Sequence, residues 1–201
     1  MALFEYFPNY VWNLSVSIAM DSGAELGEMM DMCQPLLAKA EAGEDAGTLE
    51  FMAEWMKVAD KLVELADEDE ARGRLLSAGA KLQRASLYYI TAERMQGHGH
   101  PGRMDTYRKG LDAFAKGTEF SGENVERVEI PYGDKTIAGL FTRAIGNDGR
   151  PAEGPTPTVV YLNGLDSCKE LLFWSWLPHS LARRGINTLC VDQPGTGESL
   201  R

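Results

Sequence analysis

The chain has 201 residues, of which 44% are hydrophobic and 25% charged, a balance that excludes a disordered chain and fits one or two folded domains. A formal net charge of −10 and a pI near 4.8 repel phosphate backbones, so nucleic acid is not an expected partner. No apolar run approaches the ~18 residues of a membrane span, and the opening MALFEYFPNYVWNL lacks a basic stretch and a small-residue cleavage site, so neither a transmembrane helix nor a signal peptide is expected.

Up to about residue 117 the apolar period is helical. Met30, Cys33, Leu37 and Ala40 form a short stripe that Pro35 should bend or restart. Leu49, Met52, Met56, Ala59, Val63 and Ala66 mark an amphipathic helix over Thr48–Ala66. Leu75, Ala78, Leu82, Ala85, Tyr89 and Ala92 mark another over Ala71–Met95, with Lys81, Arg84 and Glu93 off that face. Tyr107, Leu111 and Phe114 repeat the pattern. The expected breaks are Gly43–Gly47, the charged stretch Asp67–Glu70 and GHGHPG at Gly97–Gly102. Eleven acidic residues and two lysines between Glu41 and Glu70 read as a solvated helix face.

After Gly122 the period switches. Val125, Val128 and Ile130 alternate with polar residues, Gly133-Asp134 suits a tight turn, and an apolar run through Phe141 closes a β-hairpin. A Gly/Pro-rich connector, Asn147–Pro157, leads to Val159–Leu162, which reads as a buried parallel strand. Phe173–Arg184 reads as one helix ended by Gly185, and Ile186–Val191 as a second interior strand, making a βαβ unit. The predicted division is a helical domain over 1–120 and an α/β core over 124–201. Cys33, Cys168 and Cys190 are too few and too scattered for a disulfide scaffold or a zinc site, which points to a cytoplasmic protein with no metal and no cofactor.

Two motifs of the second half, GLDSCKE at Gly164–Glu170 and D-x-x-G-x-G-x-S at Asp192, Gly195, Gly197 and Ser199, resemble the α/β-hydrolase superfamily. With the helical stretch SAGAKLQRASLYYITAERM, they resemble the group containing 2,6-dihydroxypseudooxynicotine hydrolase, FrsA-like proteins and fungal polyketide-shortening hydrolases. The fold class this implies is α/β: the first half of an α/β-hydrolase core behind an N-terminal helical domain of the cap or lid type. Several members of that group are dimers. Its activities include hydrolysis of the C–C bond of 1,3-diketone-like substrates and ester hydrolysis or transfer. The complete protein is accordingly expected to be a serine-dependent hydrolase of a small molecule, an ester or a β-diketone or polyketide-like compound. This chain would be its N-terminal fragment and inactive alone.

The resemblance also places candidate catalytic residues. Gly164 and Leu165 stand where the superfamily builds its oxyanion loop, with the Leu165 amide as a donor and Gly164 allowing close backbone approach. Asp166, Lys169 and Glu170 follow directly. Asp166 stands where relatives often carry glutamate, and Lys169 and Glu170 equally suit pairing within the fold or a helix start. GTGES is G-x-G-x-S, not the G-x-S-x-G elbow, so Ser199 is a poor nucleophile and Asp192 reads as a loop anchor. His98 and His100 read as surface residues, and His179 lies in the crossover helix, where a triad base does not belong. Tyr88, Tyr89, Trp174 and Trp176 suit ordinary packing or the lining of an apolar pocket. Four strands leave an apolar sheet edge open, so the chain is expected to form a homodimer or join a second chain carrying the rest of the core. The alternative is a non-catalytic binding or dimerisation module.

Overall fold

Gly122 marks a change of architecture as well as of period. Its backbone is left-handed (φ 65°) and closes the last helix of a unit spanning 1–123; a second unit spans 124–201. The computed structural model describes residues 5–8, 10–44, 49–97, 99–164 and 167–200.

The first unit is helical: α1 (Tyr10–Asp21), α2 (Leu26–Cys33), α3 (Leu37–Glu41), α4 (Leu49–Ala71), α5 (Leu75–Arg94) and α6 (Arg103–Ser121). Pro35 lies in a 3-10 turn, Gln34–Leu36, between α2 and α3. Here the buried side chains are Met29, Met32, Cys33, Leu36 and Ala40; Met30, expected on the apolar stripe, is 51% exposed. The buried positions 29, 32, 33, 36 and 40 keep helical spacing through the turn, and Met30 falls beside that face. The charged stretch Asp67–Glu70 does not break α4, contrary to the expectation. Asp69 accepts from Lys81 Nζ at 2.6 Å and Glu70 from Lys116 Nζ at 2.5 Å, so the charges tie α4 to α5 and α6. The break comes at Gly73, whose φ of 71° a helix cannot use.

Helix α5 is not one-faced. From Ala85 to Glu93 every residue is buried, because α4 and α6 pack on it from two sides. Its polar groups find partners within the bundle. Ser86 Oγ donates to the Gly110 carbonyl at 2.6 Å, and Arg103 pairs with Glu93 at 2.8 Å. Leu75, at its start, is 45% exposed. Small residues let α5 and α6 approach closely: a Cβ on Gly117 would stand 2.9 Å from the Gln83 backbone nitrogen, and one on Gly79 2.4 Å from Ser121 Oγ. A run of ring contacts, Phe7–Trp12–Phe51–Trp55–Tyr88, joins the segment before α1 to α4 and α5.

The second unit holds four strands, β1 (Glu126–Tyr132), β2 (Lys135–Thr142), β3 (Thr158–Leu162) and β4 (Asn187–Val191), in the order β1-β2-β4-β3. The β1–β2 hairpin turns on Gly133 (φ 63°) and Asp134, with positive φ at the first central residue only, as in a type II′ turn. β4 runs antiparallel to β2 and parallel to β3. The expected single helix after β3 is two: α7 (Lys169–Trp174) and α8 (Trp176–Ala182), separated by an extended Ser175. Pro178 is the reason, since it has no N–H to donate to the carbonyl of Trp174 and its ring crowds that carbonyl.

β4 is interior and buried, but β3, expected to be buried, is not. Val159, Val160 and Leu162 are 38%, 58% and 53% exposed, because among the described residues β3 is an edge strand bonded only to β4. No helix among the described residues is long and apolar enough to cross a membrane.

Candidate active site

The parallel pairing of β3 and β4 brings two strand ends together. Leu162 lies opposite Val191, so the next residues, Asn163 and Asp192, emerge side by side at the carboxyl edge of the sheet. In open α/β sheets that edge is where ligands bind. The two motifs picked out from sequence are the segments that leave these strands.

Asp192 is fully buried and its carboxylate is crowded with donors. Oδ1 accepts from the Lys169 amide at 2.8 Å, and Oδ2 from the Glu198 amide at 2.9 Å and from Lys169 Nζ at 3.1 Å. Gly197 is needed for this approach: a Cβ there would stand 2.4 Å from Asp192 Cγ, and its φ is +48°. Asn163, 3% exposed, donates from Nδ2 to the Ser167 carbonyl at 2.7 Å and to Thr196 Oγ1 at 3.0 Å. With both amide protons so used, its 3.5 Å approach to Asp192 Oδ1 is electrostatic rather than a third full hydrogen bond.

Lys169 is the cation of the cluster. Its Nζ lies 2.6 Å from Glu170, 2.8 Å from Glu198 and 3.1 Å from Asp192, and Lys169 and Glu170 are each 1% exposed. Burial alone would depress the ammonium, but the three carboxylates outweigh it and hold it above the ordinary lysine value. Burial pushes the Asp192 carboxyl upward, and neighbouring Glu170 adds to this against the pull of Lys169. Glu198 escapes: despite its burial, Arg127 at 2.6 Å and Lys169 bring it down to about 2. Glu170 Oε2 is buried with no hydrogen-bond partner among the described residues.

Of the candidate residues, Gly164 is exposed, and a Cβ there would meet nothing within 4 Å. Leu165 and Asp166 lie outside the described residues, as does His98. Lys169 and Glu170 open α7 and point inward to each other. Ser199 Oγ accepts from the Ala138 amide at 3.1 Å, a tie between the 3-10 turn Gly197–Leu200 and β2. Cys168 and Cys190 are buried, with thiols pushed up by desolvation, Cys190 to about 12. His179 packs on the Phe173 ring, with centroids 4.8 Å apart. Asn163, Thr196 and Glu198 were missed from sequence. Their signal was the adjacency of two strand ends, which no single motif carries.

The helical unit has a groove of about 540 Å³ over α5, with an apolar floor including Val63 and Leu82. Its lysines are paired, Lys109 with Asp60 at 2.9 Å and Lys116 with Glu70 at 2.5 Å. Tyr89, on the same groove, donates to Asp60, and Tyr88 is buried and donates to Glu28. Among the described residues, no group of three or more His, Cys, Asp or Glu side chains is arranged to hold a metal ion.

No protein-family model matches the chain. The α/β hydrolase gkaG of Penicillium citrinum is 24% identical over 206 residues, which cover 100% of this chain and 46% of that protein. The esterase FrsA of Vibrio cholerae is 32% identical over 88 residues, 44% of this chain and 20% of that one. The crystal structure of 2,6-dihydroxy-pseudo-oxynicotine hydrolase superposes with a TM-score of 0.66 at 22% identity, covering 91% of this chain and 46% of that one. The chain thus spans about half the length of the relatives it matches end to end. It carries the first half of the α/β-hydrolase core behind a helical segment, and it is related in sequence to hydrolases of that superfamily.

Proposed function

We propose that the complete protein is a serine-dependent hydrolase that cleaves an ester, or the C–C bond of a β-diketone or polyketide-like substrate, through an acyl-enzyme. The observation that carries this reading is the connection from β3 to α7, anchored at Asn163 and Lys169 at the carboxyl edge of a hydrolase-type sheet. Relatives that are hydrolases and an esterase support the reaction class.

In this reading the Leu165 amide donates to the oxyanion that forms when a serine oxygen adds to the substrate carbonyl. The open space beside Gly164 admits that carbonyl, and preorganised amides of this kind are worth about 3–4 kcal/mol in the transition state. The bond to the alkoxide or enolate then breaks, the leaving group takes a proton from the histidine base, and water releases the acid. Asp166 is, in this reading, the acidic residue that assists the chemistry. The helical unit serves as the cap. No G-x-S-x-G elbow occurs in residues 1–201, so in this reading the nucleophile and its base lie outside them.

The test is fluorophosphonate treatment of the full-length protein, followed by intact-mass measurement and peptide mapping. One adduct on an elbow serine, with loss of p-nitrophenyl acetate turnover, is expected. Turnover that survives replacement of that serine by alanine would overturn the mechanism.

A further inference from the structure

We propose that Asp192 and Asn163 are positioning residues: from inside the sheet edge they lock the connection between β3 and α7 to the turn that follows β4. The catalytic consequence rests on the function proposed above; the locking itself does not.

The two segments are tied at crossed points. Asn163, where β3 ends, holds the far end of its own connection through the Ser167 carbonyl and holds the other segment through Thr196. Asp192, where β4 ends, takes the Lys169 amide at the start of α7 on one oxygen and the Glu198 amide of its own turn on the other. Both backbone donors therefore depend on one carboxylate with both oxygens free to accept. A protonated carboxyl has lost one of those positions. At this depth an unaccompanied carboxylate takes up a proton, and burial and Glu170 do push Asp192 that way. Lys169 Nζ, 3.1 Å away, supplies the charge that favours its ionised form. Gly197 completes the device, since any side chain there would occupy the place of the carboxylate. The result is that neither segment moves without the other, and the reacting edge is set by residues that need not touch substrate.

The experiment is hydrogen exchange by mass spectrometry on the full-length protein, comparing wild type with Asp192→Asn, an isosteric change that turns one acceptor into a donor. Exchange of amides in peptides covering 163–170 and 193–200 is expected to rise together, by about tenfold or more, the worth of one hydrogen bond to a buried charge. The peptide covering 75–94, in the helical unit, is expected to stay unchanged. A rise in only one of the two segments, a uniform rise everywhere, or no rise overturns the proposal. Should Asp192→Asn not fold, Thr196→Val reads the same coupling from the half-exposed end. Loss of its hydroxyl is expected to raise exchange at 163–170 as well as locally, and a purely local change counts against the lock. With p-nitrophenyl acetate, Asp192→Asn is expected to lower kcat about tenfold or more and leave KM within about twofold. A wild-type protein without turnover would sink the hydrolase reading and leave the exchange result to decide the lock.

Discussion

Glu198→Gln isolates the electrostatic part of the cluster. Arg127 reaches both Glu198 oxygens, at 2.6 and 3.3 Å, and Lys169 holds one of them at 2.8 Å. These hold the carboxyl at about 2 instead of the ordinary 4.5. At about 1.4 kcal/mol per pH unit that difference is worth about 3 kcal/mol. Arg127 is 47% exposed and partly screened by solvent, so about 2 kcal/mol is the figure to expect. The folded value lies below the unfolded one. The stabilisation is therefore complete above about pH 4.5 and is lost as pH falls through about 2. Glutamine stands in for the protonated acid, so wild type and variant should converge near pH 2 and separate by about 2 kcal/mol above pH 5. Urea unfolding of the full-length protein at fixed pH values measures the gap. A gap that stays constant across this range would refute the argument, since it would mean that shape rather than charge makes Glu198 useful.

Two further outcomes are expected. Gly117→Ala gains about 1 kcal/mol of helix propensity, but its Cβ would stand 2.9 Å from backbone at Gln83, so a net loss of about 1–2 kcal/mol in thermal unfolding is expected; a stabilised variant would show that α5 and α6 slide apart freely. Cys33, Cys168 and Cys190 are buried, with thiols pushed up by desolvation, so Ellman's reagent at pH 8 should leave all three unmodified until guanidinium is added; peptide mapping that finds one of them modified within minutes in the native protein would contradict their burial.

The order of elements was legible because it depends on local period and on breakers. The hairpin turn at Gly133, the helix stop at Gly185 and the restart at Pro35 all follow from residues whose backbone preferences are strong. Burial was less legible because it depends on what packs opposite. The apolar stripe of α5 accounts for one of its buried faces, but Ser86, Tyr88 and Thr91 became interior only because a second helix covers them. β3 shows the converse. Its Val-Val-Tyr-Leu run has the composition of an interior strand, yet the residues described here cover it on one edge alone. Asp67–Glu70 looked like a solvated interruption because sequence gives no sight of Lys81 and Lys116, which make those charges part of the packing.

The site was legible as two motifs and illegible as one object. Lys169 of GLDSCKE and Asp192 of DQPGTGES are 23 residues apart in sequence, and only parallel pairing of β3 with β4 makes them neighbours. Their chemistry then argues for specification rather than for stability. Bringing an ammonium and carboxylates to 1% exposure or less costs several kcal/mol per ion, and well-packed apolar side chains of the same volume would often be at least as stable. Apolar contacts, however, are non-directional and would hold the two loops together without fixing their register. The carboxylate of Asp192 fixes two backbone amides at 2.8 and 2.9 Å, and it does so most strongly while charged. A buried lysine is the smallest addition that meets that condition. The cluster therefore makes most sense where the placement of a loop by fractions of an ångström matters more than the stability lost in placing it.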